Sequence, residues 1–198
     1  MKVVKLAINA VLFLGVIALF FWMSQIVKAP IEFRKGKAVR EAAVIDRLIA
    51  IRNAQLAYEE KYGEYAAEFD KLIPAIKNDS VPRVKIIGDP DLAAEDSTYT
   101  VTYDTTMVPL NDVAFADTSR YPNQTYPVDS LRYIPFGNGE QFSLNAGELT
   151  KNRITIDVFE ARAPESVYLK GLADRYIDPD FEMQVGSMSE GRINGNWE

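Results

Sequence analysis

The sequence contains no cysteine and no histidine. Without cysteine, the chain forms no disulfide, no thiolate metal site and no thiol nucleophile. Without histidine, it lacks the commonest general base and metal ligand at neutral pH, which excludes Ser-His-Asp triads, Cys-His dyads and structural zinc sites. Any catalysis would depend on carboxylates, lysine and tyrosine alone. We therefore expect a non-enzymatic protein that works without a cofactor.

Positive charge is also in short supply. The chain has 22 Lys and Arg against 28 Asp and Glu, a net charge of −6. Such a surface repels phosphate backbones, so we expect no nucleic-acid partner. The glycine motifs that bind nucleotide phosphates and the nucleophile elbow of hydrolases are absent as well. Because 47% of the 198 residues are hydrophobic, the chain is able to bury one domain's core beside an anchor.

Charged residues are missing altogether from residues 6–27, which read LAINAVLFLGVIALFFWMSQIV. A helix of about 22 residues is about 33 Å long and crosses the hydrocarbon layer of a bilayer. The alternative is a cleaved signal peptide, whose apolar region is shorter, about 7 to 15 residues, and is followed by a small-x-small site. Here the apolar run is longer and Lys28-Ala29-Pro30 comes directly after it. We interpret residues 6–27 as a retained transmembrane helix that contacts membrane lipid.

The topology of this anchor has two readings. Basic residues are more frequent after the apolar run than before it, which favours a cytoplasmic domain. Long domains, however, translocate largely regardless of charge, and an N-terminal anchor of this kind commonly exports the domain behind it. We expect an inner (cytoplasmic) membrane protein with a periplasmic domain.

Hydrophobic periodicity predicts helices first and strands afterwards. We expect a basic N-terminus at residues 1–5, a juxtamembrane linker at residues 28–36 broken by Pro30, a soluble domain at residues 37–186 and a frayed polar tail at residues 187–198. A 3.6-residue period predicts helices over residues 37–62 and 66–76. This order indicates an α+β fold with a mostly antiparallel sheet.

Short β-branched and aromatic runs predict the strands. These runs are residues 98–103, 131–134, 141–144, 154–159, 167–169 and 181–185. Turn signals at residues 137–139 and 145–147 predict hairpins on both sides of residues 140–145. Residues 109–127 are predicted to form a long surface loop.

One stretch of the chain resembles a known family. Residues 51–58 read IRNAQLAY, and KYGEY and FDKL occupy residues 61–65 and 69–72. This resembles the helix after the membrane anchor of pilins and pseudopilins, which often reads R-x-A-Q-x-A-Y…G-x-Y…F-x-x-L. The segment before the apolar run reads MKVVK and does not carry the Gly-Phe-Thr-Leu-x-Glu processing motif of prepilins.

The resemblance implies a pseudopilin-like domain behind an anchor. It also implies a structural or accessory role in a secretion, motility or envelope assembly complex, with other envelope proteins as partners. The whole chain further resembles single-span envelope proteins of Bacteroidota, in the blocks SLRYIPF at residues 130–136 and EQF at residues 140–142. That second resemblance implies no biochemical role.

Two groups of residues are candidate sites. Carboxylates near the C-terminus supply the oxygen ligands that calcium prefers, and the resemblance to pseudopilins implies that such a loop can hold calcium; a solvated acidic turn is the favoured alternative. The carboxylates are Asp174, Asp178, Asp180 and Glu182. Aromatic and arginine side chains, which are enriched at protein interfaces, form the second group, unless they pack the core under the predicted loop. They are Arg120, Tyr121, Tyr126, Arg132 and Tyr133.

These patterns are compatible with three functions. A protein-binding envelope subunit is the function we expect. The first alternative is a membrane-tethered binding module for a ligand such as calcium or an envelope glycan. The second is an enzyme that uses carboxylates only, which has little support beyond the abundance of Asp and Glu.

Overall fold

A computed structural model describes residues 2–87, 101–122 and 126–198 of the chain. Its helices are α1 (Lys2–Tyr62), α2 (Phe69–Asn78), α3 (Leu110–Ala114) and α4 (Glu165–Tyr168), with short 3-10 helices at Val128–Ser130 and Asp174–Tyr176. Its strands are β1 (Ser80–Ile87), β2 (Thr102–Pro109), β3 (Ser143–Lys151), β4 (Ile154–Pro164) and β5 (Glu182–Gly186). All described strand pairs are antiparallel, which confirms the predicted α+β class.

The first helix is continuous over 61 residues, from the apolar run into the domain. The helix break predicted at Pro30 is wrong, because Pro30 lies inside the continuous helix. Proline fixes φ near −65°, which is a helical value, so the residue removes one hydrogen-bond donor without forcing the chain out of the helix. A continuous helix therefore connects the apolar run to the domain.

The core of the domain surrounds the second half of α1. Leu48, Ile51 and Ala54 are fully buried on this helix. The amphipathic helix α2 packs beside α1, and its buried face includes Leu72 and Ile76. Strands β4 and β5 and helix α3 cover other sides of α1. The long helix thus stabilises the domain as its central element.

The end of α1 explains the pilin-like pattern in physical terms. Gly63 has φ +74° and donates its N–H to the carbonyl of Glu59, so it ends the helix as the sequence predicts. The fully buried Gln55 makes two hydrogen bonds to the backbone of Ala66: its Nε2 donates to the carbonyl (2.7 Å), and its Oε1 accepts from the N–H (2.9 Å). Gln55 therefore holds the chain reversal against the helix.

A three-stranded sheet, in the order β3-β4-β5, packs against this helix. The predicted turn at residues 145–147 is wrong, since these residues lie inside β3. The turn between β3 and β4 is Asn152-Arg153, with φ values of +54° and +69°, as in the tight turns that suit hairpin twist. Arginine is rare at such a position, which hid this turn from sequence analysis.

Strands β1 and β2 form a separate two-stranded ribbon. Its register places Ile86 opposite Tyr103 and Pro82 opposite Met107, so one face of the ribbon is apolar. These side chains are exposed, Tyr103 to 63%. The sequence did not predict β1, and the predicted strand at residues 98–103 lies partly outside the described residues.

Three further predictions are wrong. Residues 131–134 form a turn with a single bridge between Tyr133 and Gln141, and residues 167–169 belong to α4 and its end. The predicted loop at residues 109–127 begins with α3. In contrast, the strand predicted at residues 154–159 is present within β4, and the strand predicted at residues 181–185 is present as β5, one residue later.

The C-terminal tail was expected to fray but is bound to the domain. Asn196 donates its N–H to the carbonyl of Gln184, and its side chain bonds Gln184 and Glu182. Trp197 packs on the core, and Glu198 pairs with Arg52 at 2.8 Å. The polar side chains of the tail therefore bind the domain, although its polar composition predicted a tail exposed to solvent.

Candidate functional site

The segment that follows β4 packs along residues 33–40 of α1. The Arg40 guanidinium donates to the carbonyls of Tyr168 and Lys170. Nearer to the N-terminus of α1, the Phe33 ring lies 5.1 Å from the ring of Tyr176. Between them, a Cβ at Gly36 would lie 3.1 Å from Leu172, so the glycine permits close approach. The domain is therefore held on α1 down to residue 33.

An ion pair lies at the centre of this contact. The Glu165 side chain is 1% exposed, and its Oε1 lies 2.6 Å from the Lys37 ammonium nitrogen. Burial lowers the pKa of Lys37, but the hydrogen bond and the charge of Glu165 outweigh burial, so that the pKa is raised overall. The pair therefore ties α4 to the helix as charged partners.

Above this contact, an open cleft lies beside α1, with a volume of about 490 Å³. We call it the aromatic cleft. The helix contributes Ala43, Asp46 and Arg47, and the loops contribute Arg120, Tyr121, Pro122, Tyr126, Pro135 and Phe136. Its size lies in the range of ligand sites, and its lining combines flat apolar rings with a few polar groups.

The rings of the aromatic cleft are held rigidly. Tyr126 stacks on the buried Phe115 at 4.6 Å, and Tyr121 meets both rings edge-on. Arg47 lies over the Tyr126 ring and donates to the carbonyl of Ser130. These contacts fix the orientation of the rings in the unbound protein.

Two groups at the aromatic cleft stand out. The Tyr121 side chain is buried, yet its hydroxyl has no hydrogen-bond partner among the described residues. Phe136, by contrast, is 53% exposed at the rim and lies beneath the Arg40 guanidinium. The exposed ring of Phe136 therefore forms part of the cleft's solvent-facing rim, while the hydroxyl of Tyr121 lies beneath its surface.

The structure brings together three of the five predicted partner-binding residues. Arg120, Tyr121 and Tyr126 line the aromatic cleft, where Arg120 also pairs with Asp46 at 2.9 Å. Arg132 lies elsewhere and pairs with Asp70 at 2.7 Å, while Tyr133 is exposed beside its bridge to Gln141.

The helix residues of the cleft were missed. Ala43, Asp46 and Arg47 recur at the spacing of one helix face, which is a visible signal. The loops that this face contacts are distant in sequence, and local spacing does not reveal them.

The predicted calcium ligands do not assemble into a cluster. Within the described residues, no group of three or more carboxylates is placed to hold a metal ion. Asp178 accepts the N–H of Asp180 in a local turn, and Glu182 pairs with Arg162 at 3.2 Å. Asp174 begins a 3-10 helix. The arrangement fits the acidic-turn alternative.

A second cleft, of about 300 Å³, is acidic. Glu148 on β3 is directly opposite Asp157 on β4, and like charges in this position repel each other. Glu64, Lys71 and Tyr65 complete this acidic cleft. Sequence analysis missed it because it placed a turn where β3 runs.

Comparison of the chain with protein-family models, with curated proteins and with solved structures finds no match. Among the described residues, α1 is the one helix long and apolar enough to cross a membrane, with a mean hydropathy of 2.3 over its most apolar part. The function is therefore inferred from the geometry of the site and from this helix.

Tyr126 provides a pH test of the aromatic cleft. Burial raises the pKa of its hydroxyl to about 12, although the charge of Arg47 acts in the opposite direction. The unfolded chain releases this proton near pH 10, so the contribution to stability is complete below about pH 10 and is lost as the pH rises toward 12. We expect Tyr126→Phe to abolish about 1 kcal/mol of the stability lost between pH 10 and 11. Denaturant unfolding at both pH values measures this difference, and equal losses in the two proteins would contradict it.

Proposed function

We propose that the protein is a non-enzymatic, single-span membrane protein of the cell envelope that works by binding other proteins. The helix of residues 6–27 anchors it in the inner membrane, and the α+β domain lies outside the lipid on the periplasmic side. By its resemblance to pseudopilins, it serves as a structural or accessory subunit of a secretion, motility or envelope assembly complex.

The observation that carries this proposal is the exposure of the first part of α1. All side chains of residues 9–23 are exposed, and they include Phe13, Phe20, Phe21 and Trp22. Water-soluble domains rarely expose apolar patches of more than a few hundred Å². In a bilayer these side chains contact hydrocarbon instead of water, which removes this cost, and a helix satisfies its backbone hydrogen bonds within itself.

Two surfaces of the domain support the binding of proteins. The aromatic cleft offers preset rings and two arginines, the residue types that dominate binding energy at interfaces. The apolar ribbon face offers a second, separate surface of exposed Ile86, Tyr103 and Met107. A single partner or two different ones would fit this arrangement.

Site-directed photocrosslinking in intact cells tests the proposal. With a photoreactive phenylalanine analogue at Phe136, we expect a discrete adduct with an envelope protein, which Arg120→Ala and Tyr126→Ala weaken. The same analogue at the exposed Glu190 is the matched control. The partner is then purified, and its affinity for wild type and Tyr126→Ala is measured. Absence of an adduct at the cleft and at Tyr103 on the ribbon would contradict the binding role.

A second candidate function, ligand binding by a membrane-tethered module, is favoured by the acidic cleft. Opposed carboxylates at Glu148 and Asp157 repel each other, and beside Lys71, which lines the same cleft, a bound cation or a donor-rich glycan would reduce this repulsion further. A ligand that binds only the folded state raises the melting temperature. Melting curves in millimolar calcium and in EDTA that coincide for wild type and Glu148→Gln would remove the calcium form of this function.

A further inference from the structure

The segment that grips α1 descends toward the membrane end of the helix. Three contacts follow one another along the segment: Tyr168 with Arg40, Leu172 with Gly36 and Tyr176 with Phe33. Later residues of the segment thus contact earlier residues of α1, nearer to its apolar run. The segment then returns upward, since Glu165 donates its N–H to the carbonyl of Phe181. Residues 173–178 are therefore the lowest part of the domain.

The height of this loop above the lipid is set by the helix. Because α1 is continuous, Phe33 lies six residues, or about 9 Å, beyond the end of the apolar run at Val27. Side chains of a helix tilt toward its N-terminus, which lowers the Phe33 ring and the Tyr176 ring packed on it. The headgroup layer of one leaflet is roughly 5 to 8 Å thick. The loop therefore reaches the level of the headgroups.

The chemistry of the exposed side chains suits that level. We call the set the underside: α1 residues 31–35 and loop residues 173–178. Ile31 is 47% exposed and Tyr176 36% exposed. Arg34, Lys35 and Arg175 are exposed cations, and Glu32, Asp174 and Asp178 are exposed carboxylates. Phosphate groups attract the cations, and headgroup amines attract the carboxylates, while aromatic rings favour the interface.

We propose that the underside is a lipid-contact surface, which seats the domain on the phospholipid headgroups and fixes its height and tilt. This inference rests on the proposed membrane anchor. It assigns the exposed Asp174, Arg175 and Asp178 to the membrane surface. With α1 docked on the domain down to residue 33, the span, the underside and the domain move as one body, so the aromatic cleft is held at a set distance from the bilayer.

The absence of cysteine makes a direct test possible with the full chain in phospholipid nanodiscs. Ala173→Cys on the underside and Glu64→Cys beyond the far end of α1 are both exposed and are labelled with the environment-sensitive fluorophore NBD. We expect a blue-shifted emission for residue 173 and quenching by a headgroup spin label about threefold stronger than for residue 64, because contact quenching requires the probe to reach the headgroups. Arg175→Glu should weaken that quenching.

An insertion control separates this inference from the anchor itself. In a Trp197→Phe background, Trp22 reports insertion through quenching by brominated acyl chains. If Trp22 is quenched but the label at residue 173 is as exposed to water as the label at residue 64, the anchor stands and the lipid-contact role of the underside is wrong. Unquenched Trp22 overturns the anchor, and the underside with it.

Discussion

Gln55→Leu is expected to destabilise the domain by about 3 kcal/mol, because leucine removes the partners of two buried backbone groups of Ala66 at once. Each unsatisfied buried group costs about 1 to 3 kcal/mol, and the apolar area gained by leucine offsets only part of this. For a domain of this size, the melting temperature should fall by about 6 to 12 °C. Circular dichroism of the full chain in detergent micelles measures this change.

The control for this variant is Asn53→Leu, two residues earlier on α1 and partly exposed. It changes a polar side chain of the same helix without touching the chain reversal, and should shift the melting temperature by only a degree or two. Gln55→Glu keeps the acceptor and loses the donor, so an intermediate loss is expected. Equal melting temperatures for Gln55→Leu and wild type would show that the bonds to Ala66 do not hold the reversal.

Lys37→Met is expected to release the segment after β4 from α1, at a cost of about 2 kcal/mol. The variant leaves the Glu165 carboxylate buried without its partner at 2.6 Å. The cost is lower than for a fully buried pair because the Lys37 side chain is 30% exposed. Hydrogen exchange should show faster exchange of the backbone amides of residues 165–178.

A double-mutant cycle isolates this pair. Removing both charges, with Lys37→Met and Glu165→Leu, should recover most of the loss, since no uncompensated charge is left buried. Glu41→Gln removes the longer contact of Lys37 at 3.6 Å and is the control, with an expected effect below about 0.5 kcal/mol. Additive effects of the two single changes would mean that the pair does not couple α4 to α1.

Sequence patterns predicted the parts of this fold that depend on local chemistry. The apolar run, the buried face of α2 and the helix end at Gly63 are predictable from composition, period and backbone freedom, and all three are present. The break predicted at Pro30 is absent because the φ of proline is helical, so its lost hydrogen bond does not end a helix that continues on both sides. The turn at Asn152-Arg153 was not predictable from its own residues, because its position is set by the pairing of β3 with β4 along their whole length.

The candidate site was only half predictable for a related reason. Tyr121 and Tyr126 are close in sequence and attract notice as aromatic residues near arginine. Asp46 and Arg47 come from a helix more than seventy residues earlier, and Arg120 contacts Asp46 only in the folded chain. An aromatic residue that packs in the core differs from one at a binding surface in its burial, and burial depends on the tertiary structure.

Cysteine accessibility in intact cells tests the central claim most directly, namely that α1 crosses the inner membrane and carries the domain on its far side. This topology predicts that a membrane-impermeant maleimide added to spheroplasts labels Glu64→Cys fully and does not label Val16→Cys. The protein should also remain in the membrane pellet after alkaline carbonate extraction. Release into the carbonate supernatant, or equal labelling at both positions, would contradict the anchor; labelling of Glu64→Cys only after lysis would place the domain in the cytoplasm.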